Sequence, residues 1–188
     1  MFDAIERIEI GVRTRLIYYP ALRYGNLWFE DYNLCDNQEF HYKNLEQVYK
    51  AIHESKEIFI EDHKRRFGNN DTPDVWKAFE VLSLGTLSKL YKNMKHQLPE
   101  KAKIATSLGL ENHSQLSSWL EEITTLRNII AHHLRLWNRK LVKSPKWLGN
   151  PKERVWLSKE PEPNSNAAIL YLKRHAIFAE YYYARPLY

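Results

Sequence analysis

Apolar residues recur every three or four positions along most of the chain, the period of helices that bury one face. Near the start, Ile5, Ile8, Val12 and Leu16 share such a stripe, Glu6, Arg7 and Arg13 fall outside it, and Pro20 is expected to end the helix or to follow soon after its end. Residues 21–42 lack a period; they are rich in aromatics (Tyr24, Trp28, Phe29, Tyr32, Phe40) and carry a turn signal at Gly25-Asn26. A second helix is expected from about Asn44 to Phe67, closed by Gly68-Asn69-Asn70. Thr72-Pro73-Asp74 reads as a helix start, and Phe79, Leu82, Leu84, Leu87, Leu90 and Tyr91 then predict one continuous helix to about Asn93. Pro99 opens a short helix to Ser107 that Gly109 stops. Asn112 or Ser114 caps a long helix predicted to reach about Val142, ahead of Ser144-Pro145.

That long helix carries the densest chemistry in the chain, Leu126-Arg127-Asn128-Ile129-Ile130-Ala131-His132-His133-Leu134-Arg135-Leu136-Trp137-Asn138-Arg139. At about 100° per residue, Ile123, Leu126, Ile130, Leu134, Trp137 and Leu141 form its core stripe. Asn128, His132, Arg135 and Arg139 form a second stripe roughly opposite. This second stripe joins a group that exchanges protons near neutral pH to two permanent cations, a combination suited to a phosphodiester. Arg127 flanks the core stripe on one side and His133 on the other. Arg127 and His132 point roughly 140° apart, so they do not easily hold one phosphate within a single helix. Two such helices packed face to face would bring them together, which is the ground for expecting a homodimer.

From 144 to 166, Pro145, Pro151, Pro161 and Pro163 predict a loop, packed down by Trp147 and Trp156, before a final helix from Asn166 to about Ala184. Only Val155-Trp156-Leu157 hints at strand alternation, so the fold class is all-α. With 188 residues, 44% hydrophobic and 27% charged, the chain is expected to form one globular domain. A net charge of +5 and a pI near 9.1 tilt it towards polyanions, of which nucleic acid is the commonest. The single Cys35 excludes an internal disulfide framework and fits a reducing compartment. Neither CxxC nor HExxH occurs, and no metal or cofactor is expected. No leader-like or bilayer-spanning run is present either, so a cytoplasmic protein without a membrane partner is expected. Starting directly in an amphipathic helix suggests that an upstream region is missing.

Other residues change the picture less. Lys92, Lys95, Lys101, Lys103, Lys140, Lys143, Lys146 and Lys152 are expected at the surface, either as an RNA-binding rim beside Arg135 and Arg139 or as ordinary solvated charge. Trp137 belongs to the core stripe, and Tyr181 to Tyr183 suit core or dimer packing better than base stacking. His41, His53, His63, His96, His113 and His175 share no motif and receive no role. Read from the residues alone, Arg127, Asn128, His132 and His133 are either a site for phosphodiester chemistry or polar groups tying their helix to its neighbours.

The string from Leu126 to Arg139 resembles the signature of the Abi-like (AbiD/AbiF) family of bacterial abortive-infection proteins. Residues 3–9 resemble that family's leading helix, Tyr24-Gly25-Asn26-Leu27-Trp28 the segment after it, and residues 76–91 its central helix. The resemblance covers most of 3–142 and is weaker from 144 onward. The family is placed in the HEPN superfamily, so the resemblance implies a single HEPN-like helical bundle over 1–188, lacking the upstream region that members usually carry. It also implies a metal-independent endoribonuclease with an Arg-x(4–6)-His motif, acting in phage defence or as a toxin. Arg127 to His132 leaves four residues between and Arg127 to His133 five, so both spacings fit. His132 is the preferred base, because it shares a face with Asn128, Arg135 and Arg139.

On that pattern the RNA 2′-OH is the nucleophile, the histidine moves the proton, Arg127 clamps the phosphoryl oxygens, and Asn128 fixes the histidine or the phosphate. The products would be a 2′,3′-cyclic phosphate and a 5′-OH. Arg135, Arg139, Lys140 and Lys143 would contact the RNA. The implied partners are tRNA or another cellular RNA, a second copy of the chain and, in a toxin role, an antitoxin. Two rivals stand beside this: a catalytically silent RNA-binding module and a protein-interaction domain of the same fold.

Overall fold

Helices in this chain begin and end where a side chain or a glycine takes over the backbone groups that a helix leaves unpaired. Residues 2–132, 134, 145 and 146 are described in the computed structural model. They form seven α-helices and no strand: α1 (Phe2–Tyr24), α2 (Gln38–Glu54), α3 (Ile58–Phe67), α4 (Val75–Glu80), α5 (Leu84–Asn93), α6 (Pro99–Ser107) and α7 (His113–Ala131). Single 3-10 turns at Trp28–Glu30 and Tyr32–Leu34 join α1 to α2, and an isolated bridge pairs Cys35 with Met94. The all-α expectation holds over these residues. The expected Pro-rich loop, the final helix and Val155-Trp156-Leu157 lie outside the described residues.

Contacts divide the chain into two compact units, one spanning Arg13–Ile104, the other Met1–Val12 with Ala105 onward. In the first unit α2 packs on α5 and α4. Val48, Ile52, Ile60, Leu84, Leu87 and Tyr91 are buried there, and Trp28, Phe29 and Phe79 form an aromatic cluster with ring centroids 5.4–6.4 Å apart. Glu100, buried in the first turn of α6, accepts from Tyr24 Oη at 2.8 Å and from Arg23 at 3.3 Å, tying it to the end of α1. Burial alone would raise its pKa, but the Tyr24 bond and the Arg23 charge outweigh burial and hold the carboxyl below its ordinary value. In the second unit α7 buries Leu116, Trp119, Leu120, Ile123, Leu126 and Ile129.

Three expected boundaries move. Pro20 does not end α1 but lies inside it, buried. It falls four residues after Leu16 and eight after Val12, both fully buried, so it extends the apolar stripe. Gly25 ends α1 instead: at φ 87° it donates its N–H to Ala21 O at 3.0 Å.

The helix expected from Asn44 to Phe67 is two helices, and it starts earlier. Asn37 caps α2 by accepting from Phe40 N at 2.9 Å, and the stripe runs out at Ser55-Lys56-Glu57, where the backbone turns extended. Lys64 Nζ takes the freed carbonyls of His53 (3.0 Å) and Ser55 (3.4 Å). The helix expected to run unbroken to Asn93 is also interrupted, at Val81-Leu82-Ser83. There Ser83 caps α5 by accepting from Thr86 N at 3.2 Å, and Arg13 takes Leu82 O at 3.0 Å.

Other signals read as expected. Gly68 (φ 94°) closes α3, and Asp74 precedes α4. After α6, Gly109 donates to Thr106 O and Leu110 to Ala105 O, both at 3.0 Å, the paired closure of a helix ending on a left-handed glycine.

Candidate functional site

Asn112 sets the start of α7: its side chain accepts from Gln115 N at 3.0 Å, and Gln115 Oε1 reaches back to Glu111 N at 2.9 Å. From there the helix buries Leu116, Trp119, Leu120, Ile123, Leu126 and Ile129, at successive spacings of one and three. The inner face at the motif is therefore Leu126 and Ile129, whereas Ile130 is half-buried and Leu134 is 51% exposed. The expected stripe through Ile130 and Leu134 is corrected to one through Ile129.

The extent of the helix is corrected as well. α7 ends at Ala131, with His132 as its C-cap, and does not continue to Val142. His132 N donates to Asn128 O at 3.1 Å and Leu134 N to Ile129 O at 2.9 Å. The second bond spans five residues and closes the last turn in the way Leu110 closes α6. The chain also comes back: Trp119 Nε1 donates to Lys146 O at 3.1 Å, Lys146 N to Ser118 Oγ at 3.0 Å, and Lys146 Nζ to Ser114 Oγ.

Arg127, Asn128 and His132 therefore sit on the last turn and cap of α7. Arg127 is half-buried, while Asn128 and His132 are exposed. Asn128 and His132 are one turn apart and share a face. Arg127 precedes His132 by five residues, a rotation of about 140° and a rise of about 7.5 Å. Among the described residues none of these three side chains has a hydrogen-bond or ion-pair partner. The C-terminal end of a helix bears partial negative charge, so a phosphate here would depend on the Arg127 guanidinium to offset it. His133, Arg135, Arg139, Lys140 and Lys143 lie outside the described residues, as do Trp137, Trp147, Trp156, Lys152, His175 and Tyr181 to Tyr183.

Among the described residues, one of the lysines expected at the surface, Lys101, lies in the interior. It is fully buried, with Nζ donating to Lys92 O at 3.0 Å and to Met94 O, beneath the Tyr91 ring. It closes the end of α5 and contributes nothing to an RNA rim.

One cluster had no sequence signal. His41, 1% exposed, places Nδ1 3.2 Å from Cys35 Sγ and Nε2 3.2 Å from Glu30 O. A carbonyl can only accept, so Nε2 carries the hydrogen and Nδ1 faces the thiol with its lone pair. The layout resembles an activated cysteine, but burial, with Asp31 and Asp36 nearby, pushes the Cys35 thiol up to about 11. Cys35 stays a thiol near neutral pH, and the pair serves the junction of α2 with the preceding turn. Among the described residues no group of three or more His, Cys, Asp or Glu side chains is placed to hold a metal ion. No helix among them is long and apolar enough to cross a membrane.

Residues 1–138 match the family model described as Abi-like protein, nearly three-quarters of the chain. No curated protein and no solved structure gives a significant match.

Proposed function

The chain belongs to the Abi-like protein family, and from that premise we propose that it is a metal-independent endoribonuclease of a phage-defence or toxin system. The observation that carries this is the state of Arg127, Asn128 and His132: polar, reachable by solvent and without a structural task among the described residues.

The chemistry needs no bound ion. In RNA the 2′-OH lies beside the phosphorus it attacks, so the protein has to orient it, take its proton and balance charge on the phosphoryl oxygens. His132 removes the 2′-OH proton, and the O2′–P bond forms as the P–O5′ bond breaks. Arg127 holds the non-bridging oxygens by charge-assisted hydrogen bonds. Asn128, one turn from His132, orients the imidazole or the phosphate. The proton taken by His132 passes from the imidazolium, directly or through water, to O5′ as it leaves, giving a 2′,3′-cyclic phosphate and a 5′-OH. His133 remains the second candidate for the proton, and Arg135, Arg139, Lys140 and Lys143 the candidates for RNA contact. A HEPN-like bundle, cytoplasmic action and a homodimer are parts of the same proposal. So is a cellular RNA such as tRNA as the substrate, with an antitoxin as partner in a toxin role.

Cleavage of total RNA in EDTA tests it, with Arg127→Ala, His132→Ala and His133→Ala variants beside the wild type. The expected outcome is fragments ending in cyclic phosphate, with loss of about 10²–10⁴-fold in His132→Ala or His133→Ala, whichever residue moves the proton, and untouched DNA. RNA binding without cleavage by the wild type would overturn the proposal in favour of the silent module.

A further inference from the structure

The positive charge of this chain is unevenly placed. Residues 133–152 hold six lysines and arginines and no acid, more than the net charge of +5 on all 188 residues, so the remainder is close to neutral. A polyanion held by this protein finds its counter-charge in that run. Leu134, Pro145 and Lys146 are its described members, and Lys146 is fixed by three side chains of α7. Buried Trp119 donates Nε1–H to the Lys146 carbonyl at 3.1 Å, Ser118 Oγ accepts the Lys146 N–H at 3.0 Å, and Ser114 Oγ accepts from the ammonium. Both backbone groups of a residue outside any helix are thus satisfied by side chains, where exposed chain ordinarily leaves them to water. A buried indole N–H needs an acceptor, and the Lys146 carbonyl supplies one.

The chain is also fixed where it leaves α7, by Leu134 N donating to Ile129 O at 2.9 Å. Residues 135–144 carry Arg135, Arg139, Lys140 and Lys143, and they join two points that are both held on the same helix. Chain length then limits how far each cation can stray. At no more than about 3.6 Å per residue, Lys143 is tied within about 7 Å of Pro145, whereas from Leu134 alone its reach would be about 32 Å. Shortening a tether raises the local concentration of the group at its end.

We infer that the seat of Lys146 on Ser118 and Trp119 is a positioning element for RNA binding, which confines the cations of residues 135–144 to the reach of α7. This rests on the RNA reading above. It adds two residues that touch no RNA themselves and act through the chain they hold. The test uses the full chain with Ser118→Ala/Trp119→Phe, which removes both bonds to the Lys146 backbone and keeps an aromatic ring in the buried position. Ser117→Ala is the control, because that hydroxyl, one position earlier, donates to His113 O at 3.0 Å within α7. Trypsin cuts after Lys146, at the carbonyl that Trp119 holds, so cleavage there should quicken in the double variant and not in the control. Equal rates would show that these bonds do not hold Lys146, and would overturn the seat.

Binding is read with a 2′-O-methylated RNA oligonucleotide, which has no 2′-OH to attack. The double variant should bind at least about fivefold more weakly at 0.1 M salt, with a salt slope lower by about 0.7 or more, the worth of one single-strand phosphate contact. Ser118→Thr keeps the Oγ acceptor and should bind as the wild type does. On unmodified RNA the double variant should raise KM and keep kcat, since Arg127, Asn128 and His132 are untouched. A fall in kcat at unchanged KM would mark a defect of α7 itself and overturn the positioning role. A wild type that cuts RNA while the double variant binds equally well would sink the seat and leave the nuclease standing. A wild type that neither binds nor cuts would remove the RNA reading and the seat with it.

Discussion

Lys101→Met is the sharpest test of how α5 ends. The methionine matches the lysine stem in length and can occupy the same fully buried space beneath Tyr91. What it cannot do is donate to Lys92 O and Met94 O, two carbonyls at the end of α5 that the ammonium satisfies. A buried acceptor left without its partner costs about 1–3 kcal/mol, so the two together cost about 2–6 kcal/mol. Against this stands the relief of no longer burying an ammonium, which burial pushes below the usual lysine range despite the opposing pull of Asp36 and Cys35.

Swapping a whole buried ion pair for apolar residues is often neutral; removing one partner while the other stays behind is not. A net loss of about 3 kcal/mol is expected, read by urea unfolding, or a fall of about 6–12 °C in Tm for a chain of this size. The pH dependence has a definite sign. A lysine with a lowered folded pKa binds fewer protons folded than unfolded, so its cost in the wild type is relieved as pH rises towards 10.5. The deficit of the variant should therefore widen in alkali. A variant as stable as the wild type would refute the claim that these two bonds hold the end of α5.

Two further outcomes follow from single side chains. Cys35 has a folded pKa of about 11 against an ordinary 9.0, so its contribution to stability is fully present below about pH 9 and is lost as pH climbs towards 11; Cys35→Ala should lose less stability than the wild type between those limits in urea titrations, and a parallel loss would count against the cause. Asn112→Ala removes the side-chain acceptor for Gln115 N and should cost about 1 kcal/mol in the same assay, whereas a change within error would mean that the Gln115–Glu111 bonds hold that end alone.

Which features could be read from the chain follows from how local their causes are. Gly68, Gly109, Pro99 and Asn112 act on the backbone within a few residues, and each marks its helix end where the pattern put it. The interruptions at 55–57 and 81–83 are completed by groups far along the chain, Lys64 for the carbonyls of His53 and Ser55 and Arg13 for that of Leu82. No spacing rule anticipates an acceptor satisfied from 69 residues away. Lys101 misleads for a related reason: a long stem lets a charged residue type reach buried carbonyls, which residue identity alone does not reveal. At the candidate site the grouping of residue types was legible because it is compact, Arg127, Asn128 and His132 lying within six residues. The end of α7 was not, because the apolar period through Leu134 and Trp137 continues past a backbone bond, Leu134 to Ile129, that stops the helix.

The early end of α7 sharpens the expectation of a two-chain site. Arg127 and His132 still diverge by about 140° over five residues, and His132 is the C-cap of α7. A site built from Arg127 of one copy and His132 of the other makes a prediction that no single-chain site makes. Mix Arg127→Ala protein with His132→Ala protein, let subunits exchange, and assay RNA cleavage. A mixed dimer would contain one site with both residues intact and one with neither. Random exchange makes about half the dimers mixed, so activity should return to about a quarter of wild type from two nearly inactive parents. Exchange must be confirmed independently, by fluorescence transfer between labelled copies. With exchange established, a mixture no more active than its parents would show that Arg127 and His132 serve the same chain, and the geometric case for a shared site would fall.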